Sequence, residues 1–554
     1  MRRDDGRDDT RSGDTAGDGR PRGKPGNATT GDGETPATRT PLPPPDAEPA
    51  RLLGVPGSVA QQFEPADVIA DAVTGVEPDA VVAAPPDANV VEPALAGAVD
   101  FPVLRPGRGM RVRTLLAGDV VVAVPPSPEA LPTTPGALDT GAEGPVRELD
   151  RPGEQCCLVT EDLQLAVDPH RCRARLDGVS SYVDALSPAW LGEDVTHLST
   201  AVRAGHGQSC RVDGGPDLPV HGLGTGTERL GVGTDSDPSL AAVSVYPNGA
   251  VEGERLDPSR YGLRGLDRVS DTRARRLRAA GFEDRATVAA ADPGALADLS
   301  SVGRATATRI RASARAVAED RVVRTGDGSL PDGQPVFVDV ETDGLSASTA
   351  WLIGVLDGRA EGGTYLAFRQ RDPREPAAHL DAFVTWLTGS AAGRPVVAWN
   401  GHGFDFDVIA DQLRQHCPEF ADDWRDRYLF DPLYWADGQG NAALPGRTNQ
   451  LAAVAEPLGW TPATQGLNGA TVARRYVAWR TRVERADDPT TVPAPDWDRF
   501  EAYCEDDVRA LATVYEALEA AAGRPRDPDA QPRPEAETGS TTGNTTQGSL
   551  ADFT

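Results

Sequence analysis

The stretch Val336-Phe337-Val338-Asp339-Val340-Glu341-Thr342-Asp343-Gly344 decides the reading of this chain. Side chains of a strand alternate between its two faces, so Phe337, Asp339 and Glu341 share one of them. Neighbouring carboxylates on one face repel, and a cation held between them removes that penalty. Thr342-Asp343-Gly344 then ends the strand in a turn.

Two further acidic segments follow. Pro395-Val396-Val397-Ala398-Trp399 reads as a buried strand and Asn400-Gly401-His402-Gly403 as a loop. Phe404 to Leu413 reads as a helix with Asp405 in its first turn. Asp407 is a rival there, but only Asp405 fits the spacing Asn-x-x-x-Phe-Asp. Asp496 to Leu511 is strongly periodic, with Phe500, Tyr503, Asp507, Ala510 and Leu511 on one helical face. Tyr503 and Asp507 are four apart and point the same way. Asp506 is turned about 100° from Asp507 and is expected in solvent.

These segments resemble the three exonuclease motifs of the DEDD superfamily, which uses the ribonuclease-H-like fold. Tyrosine four residues before Asp507 is the DEDDy (DnaQ-like) form; the histidine form needs His at position 502, which is Ala502. Trp351-Leu-Ile-Gly-Val355, Asn449-Gln-Leu-Ala-Ala-Val-Ala-Glu456 and Leu458-Gly459 bring the resemblance closest to the YprB-type predicted exonucleases. Tyr503-Cys504 departs from that group's usual Tyr-Asn and is more like the proofreading domain of B-family polymerases. The resemblance covers about a third of the chain.

The resemblance implies two divalent cations, Mg²⁺ or Mn²⁺, held by Asp339, Glu341, Asp405 and Asp507, with Asp339 between them. It implies that Tyr503 and Glu341 act on the attacking water, and that hydrolysis proceeds stepwise from a 3′ end. Asn400 and Phe404 are then expected to meet the nucleic acid. His402 and Arg447 are candidates for substrate contact, with plain surface roles as the alternative.

Upstream, residues 262–318 hold eleven arginines and six acids in a chain whose formal charge is −29. Leu266-x-x-Val269 leads to Ala274-x-x-Leu277, and Leu299-x-x-Val302-Gly303 leads to Ala307-x-x-Ile310. Each reads as helix, tight turn, helix, and the pair resembles the tandem helix-hairpin-helix module of DNA repair proteins. In that module backbone N–H groups at a helix start grip a phosphate without reading sequence. Val302, Gly303, Arg304 and Arg309 are the candidates here. Ser270-Asp271 stands where the first turn usually has glycines, which suggests a structural role for that turn.

The expected architecture is α/β. It has an N-terminal α/β domain over 51–258, an all-α helical module over 262–320 and a ribonuclease-H-like mixed sheet over 335–521. Asp79 to Ala84 and Asp119 to Val124 read as buried strands, and Ala242 to Glu252 as a hairpin turning at Asn248-Gly249. Asp168-Pro169 reads as a helix start, with Cys172, Leu176, Val179, Val183 and Leu186 at helical spacing. His170, His197, His206 and His221 match no metal-ligand spacing and are expected to be packing or surface residues. The N-terminal domain's role is not legible.

Residues 1–50 and 522–554 are poor in large apolar side chains and are expected to be disordered. The chain ends Gln547-Gly-Ser-Leu550-Ala-Asp-Phe553-Thr554, which resembles the PCNA-interacting peptide, with Thr554 in place of the second aromatic. That resemblance implies binding to a sliding clamp through Gln547, Leu550 and Phe553.

Fifty-four of the 55 basic residues are arginine and one, Lys24, is lysine. An acidic chain nearly free of lysine reads as adapted to high salt, where screening reduces whole-molecule repulsion and local patches decide binding. The six cysteines form no C-x-x-C pair, and free thiols in a reducing cytoplasm are expected. No apolar run reaches membrane-spanning length, and the N-terminus lacks a signal peptide's apolar stretch. The reading is a metal-dependent 3′–5′ exonuclease on nucleic acid, DNA before RNA, in repair or replication. The alternative is a non-catalytic nucleic-acid-binding adaptor built on the helical module.

Overall fold

The computed structural model describes residues 41–44, 47–84, 88–95, 103–105, 107–116, 119–138, 155–168, 173–211, 217–224, 229–230, 233–234, 239–344 and 346–522. Residues 1–40 and 523–554, with Gln547, Leu550 and Phe553, lie outside them. The chain takes its place earlier than its composition suggests. Pro43 is buried, Leu42 O accepts from Asn248, and a strand begins at Ala50. The expectation of disorder therefore fails for 41–44 and 47–50, because these residues lie against folded partners.

Among the described residues the N-terminal region is α/β with three sheets. In the first, Ala50–Pro56 and Ala80–Ala84 are parallel and joined through the helix Pro65–Val76, while Leu240–Val245 and Val251–Leu256 add an antiparallel hairpin. The hairpin turns at Asn248-Gly249 as expected, with Gly249 at φ 80°. The second sheet runs in the order Arg111–Leu115, Val120–Val124, Gln155–Thr160, Val195–Arg203, Asp217–Gly224, Gly207–Arg211. Leu52, Val82 and Val243 of the first sheet share a core with Val122, Val124 and Leu198 of the second.

The expected helix after Asp168 is corrected. Gln164–Asp168 and Arg173–Asp177 pair antiparallel, and among the described residues of this stretch only Val179–Ala185 is helical, after Gly178 at φ 88°. Arg173-Ala-Arg-Leu-Asp177 alternates polar and apolar with period two, and this local pattern overrides the helical spacing of the longer window. Among the histidines, His197 and His221 are buried in the second sheet, which depresses their pKa values to about 3 and about 4. The Tyr182 hydroxyl lies 2.9 Å from His197 Nδ1. His170 lies outside the described residues. The four described free cysteines, Cys156, Cys157, Cys417 and Cys504, are all buried.

Residues 262–318 are helical, and their two halves repeat. Leu266–Ser270 precedes the helix Asp271–Ala279, and Leu299–Gly303 precedes Arg304–Ala318. Arg268 and Ser301, at matching positions, both take a positive φ, 64° and 66°. Val269 N–H donates to Leu266 O, and Val302 N–H to Leu299 O, at 3.1 and 3.0 Å. Leu266, Val269, Leu277, Val302, Ala307 and Ile310 form one core. The first unit's leading helix is only a 3-10 turn, Gly262–Gly265, because Gly262 N–H and Leu263 N–H are captured by Asp71 and Asp67.

The C-terminal domain is built on a five-stranded mixed sheet. Its sheet runs Thr364–Arg369, Ala350–Asp357, Val336–Thr342, Val396–Val397, Leu429–Phe430; the first three strands are antiparallel and the last two parallel. The pattern of Val336–Thr342 positions it. Val336, Val338 and Val340 enter the core beneath the helices Ala378–Gly389 and Asp405–His416. Phe337 points the other way, into the core of the long helix Trp497–Ala522, and Asp339 and Glu341 follow it by strand alternation.

Candidate active site and metal centre

Each acid is placed by the element that carries it. Asp339 lies opposite Gly354, and Glu341 opposite Leu352. A Cβ at Gly354 would stand 2.4 Å from Cys504 Sγ, so glycine leaves the space that brings the long helix down onto Asp339. Asp405 is the first residue of Asp405–His416 and is buried. The loop before it is tight. Asn400 sits at φ 52°, Phe406 N–H donates to Gly401 O at 2.9 Å, and a Cβ at Gly401 would meet the Phe406 ring at 2.6 Å. Asp407, two residues on, is exposed. Asp507 and Tyr503 share one face of the long helix, and the Tyr503 hydroxyl is hydrogen-bonded to the Asp507 carboxylate.

The four carboxylates lie close enough to perturb one another in every pairwise combination. Burial raises the pKa of Asp339 to about 6, against a Cys504 hydrogen bond that lowers it. Glu341 is pushed well up by burial and then by Asp339, Asp507 and Asp405. Asp405 and Asp507 are pushed up by burial and then by Asp339. Among the described residues no arginine, lysine or histidine makes an ion pair with any of the four. Oxygen atoms of Asp339 and Glu341 and Cys504 Sγ lie within 4.8 Å of one another. Cys504 Sγ is 3.3 Å from Asp339 Oδ2. Closely set, mutually repelling oxygen donors, two of them buried and, among the described residues, none paired with a cationic side chain, are a donor set suited to hard divalent cations.

Several side chains were missed or misread from sequence. Asp506 is 5% exposed rather than solvated, and its carboxylate accepts from Ala463 N–H and Thr464 N–H at 3.0 and 2.7 Å, and from the Thr464 hydroxyl. A neighbouring loop has closed over the face that helix geometry alone assigns to solvent. Asp431, at the end of Leu429–Phe430, accepts from His402 N–H at 3.2 Å and from Tyr434 N–H at 3.1 Å, fixing the loop that leads to Asp405. Its signal was an acid at the end of a short apolar run. Burial alone would raise the Asp343 carboxyl, but Ser348, Thr349 and Arg480 hold it below its ordinary value, and Arg480 Nη1 is 3.0 Å away.

Of the other candidates, the exposed His402 ring packs edge-on to Phe406 and Tyr434, and Phe404 is half-buried. Arg447 pairs with Asp71 at 3.0 Å and lies across Gly75, so it ties the C-terminal domain to Pro65–Val76. Val302 is buried, Gly303 begins Arg304–Ala318 without a side-chain cap, and Arg304 is exposed. Arg309 is only 24% exposed and pairs with Asp267 at 2.6 Å.

Residues 336–519 match the family model described as RNase_H superfamily. A solved structure of the family B DNA polymerase from the hyperthermophilic archaeon Pyrobaculum calidifontis is 13% identical, with 52% of this chain and 44% of that chain covered and a TM-score of 0.24. The chain thus spans less than half the length of that polymerase. No curated protein matches the chain. Among the described residues no helix is long and apolar enough to cross a membrane. By sheet order and by family match, the domain that gathers the four carboxylates is ribonuclease-H-like.

Proposed function

We propose that the chain is a metal-dependent exonuclease that hydrolyses phosphodiester bonds of nucleic acid from a 3′ end, in the DEDDy manner. The observation that carries the reading is four carboxylates, Glu341 and Asp405 buried and Asp339 and Asp507 half-buried, close enough to perturb one another and, among the described residues, without a cationic side chain paired to them. The match of residues 336–519 to a nuclease superfamily supports it. These residues would hold two divalent cations, Mg²⁺ or Mn²⁺, which when bound polarise a phosphodiester and lower the pKa of water.

The chain's own groups do the rest. Tyr503, anchored on Asp507, presents its hydroxyl to orient the attacking water. Glu341, whose carboxylate also acts on Tyr503, is the candidate to take a proton from that water. Asp431 and Asn400 fix the loop that carries the half-buried Phe404, the candidate to stack on a terminal base. The helix start at Gly303, which has no side-chain cap, offers N–H groups suited to a phosphate of flanking duplex.

DNA is favoured over RNA because the helical module resembles those of DNA repair proteins. Purified full-length protein with 3′- and 5′-labelled DNA and RNA strands, high salt and Mn²⁺ or Mg²⁺ tests the reading. Metal-dependent shortening from the 3′ end, lost in Asp339→Asn with binding retained, supports it. Equal shortening by both proteins, or binding without cleavage, favours the adaptor reading.

A further inference from the structure

We propose that Tyr434, backed by His402, is a stacking platform for a base of the substrate strand, close to the nucleotide held at the carboxylates. This rests on the exonuclease reading and adds to it a residue that holds the strand beyond the reacting end.

Among the described residues two large apolar side chains are exposed, Tyr428 and Tyr434. Tyr434 is 49% exposed, yet it is held in place. One carboxylate fixes its backbone together with that of the loop leading to Asp405. Asp431, itself buried, accepts from Tyr434 N–H at 3.1 Å and from His402 N–H at 3.2 Å. The Tyr434 and His402 rings then meet edge to face, with centroids 5.8 Å apart and planes at 87°. His402 meets Phe406 in the same way at 5.2 Å. Tyr434 opens a π-helical turn, Tyr434–Gly438, in which Gln439 N–H donates to Tyr434 O at 2.8 Å. That form is rare and is frequent at functional sites. A Cβ on Gly438 would stand 2.7 Å from the Tyr434 ring, so glycine there leaves room for the ring over its own turn. An aromatic face kept rigid and exposed loses little freedom when a flat partner stacks on it.

The place of the platform names that partner. His402 precedes Asp405 by three residues, at most about 11 Å along the backbone. The partner therefore lies within the last few nucleotides of a strand whose end is at Asp405. Just beyond the turn comes Gly440, where a Cβ would collide with the Arg309 guanidinium of Arg304–Ala318. The segment that carries Tyr434 thus links the carboxylate loop to the helical module. Its surroundings favour a base over a phosphate. Residues 428–446 contain two acids, Asp431 and Asp437, and no arginine or lysine. In a chain of net charge −29, uncharged base faces are what such a surface can hold. Stacking accepts every base and involves no phosphate, so it escapes the salt dependence of phosphate contacts.

The test uses full-length Asp339→Asn protein, in which cutting is blocked, and single strands of about 8 nucleotides. Each strand carries one 2-aminopurine, whose fluorescence stacking quenches, at successive positions from the 3′ end, as DNA and as RNA. The expected result is quenching at one of the last few positions, in either backbone, lost in Tyr434→Ala and restored in Tyr434→Phe. Tyr434→Ala should weaken the strand about fivefold or more and leave the slope of log affinity against log salt unchanged. Tyr434→Leu, apolar but not flat, should behave like Tyr434→Ala. Tyr428→Ala, at the other end of Leu429–Phe430, should change nothing. Quenching that survives in Tyr434→Ala, or is lost equally in Tyr434→Phe, overturns the proposal. So does a shallower salt slope in Tyr434→Ala, which would make the contact one to phosphate. Wild-type protein that shortens strands with metal but quenches no position would sink the platform alone. Wild-type protein that quenches the probe but never shortens it would sink the exonuclease reading alone.

Discussion

Two groups of buried and half-buried acids in this molecule are built on opposite principles. Asp67 and Asp71, on Pro65–Val76, are met by Arg278, Arg285 and Arg447 and by the N–H groups of Gly262 and Leu263. Two acids thereby join three regions, since the arginines come from the helical module and the C-terminal domain. Asp339, Glu341, Asp405 and Asp507 are met mainly by one another. The chain has 54 arginines, and three of them meet this first group. Leaving four acids uncompensated opposes folding, because desolvated like charges raise the free energy of the ionised cluster. The difference teaches that the first group is complete as it stands, whereas the second is completed by cations from solution.

The comparison breaks most visibly in activity. Asp339→Asn should lower metal-dependent cleavage by more than about a hundredfold, since loss of a group that merely orients a metal ligand already costs 10–100-fold. The same substitution should raise the melting temperature of metal-free protein, because it removes one member of a repelling set. Asp71→Ala should do the reverse. Removing the acid strands the Arg285 guanidinium, 7% exposed, and should destabilise by about 3–5 kcal/mol in denaturant titrations, while cleavage per folded molecule stays near wild type.

A smaller effect sharpens the same contrast through pH. Asp339 has a folded pKa of about 6, above the ordinary carboxylate value. The folded state therefore binds its proton more tightly than the unfolded state does. The stability of metal-free protein should gain a contribution as pH falls from 7 through about 6, and lose it as pH rises. Melting curves of Asp339→Asn should lack that contribution. Saturating Mn²⁺ should stabilise wild type and remove the gain on acidification, with little effect on the mutant. The smallest expected effect lies far from both acid groups. Deleting residues 547–554 should leave melting and cleavage unchanged and abolish recovery by an immobilised sliding clamp; unchanged recovery would reject clamp binding.

What sequence made legible was local pattern under strong constraint. Val336–Thr342 alternates between two cores, so its faces were readable, and Asn400 with Phe404 singled out Asp405 over the exposed Asp407. Asn248-Gly249 marked its hairpin because Gly249 needs a positive φ. What failed depended on partners distant in sequence. Asp506 looked solvated until residues 463 and 464 closed on it. Arg447 was a candidate for substrate contact, yet its guanidinium meets Asp71, 376 positions away. Residues 41–44 have a disordered composition but rest on Asn248 and Arg499.

The account stands or falls on cations within the carboxylate cluster. Anomalous diffraction at the manganese edge, from crystals grown with Mn²⁺, would locate them directly. Two peaks bonded to Asp339, Glu341, Asp405 and Asp507, with none at Asp67 and Asp71, is the predicted result. Four well-ordered carboxylates with no anomalous density between them would contradict it.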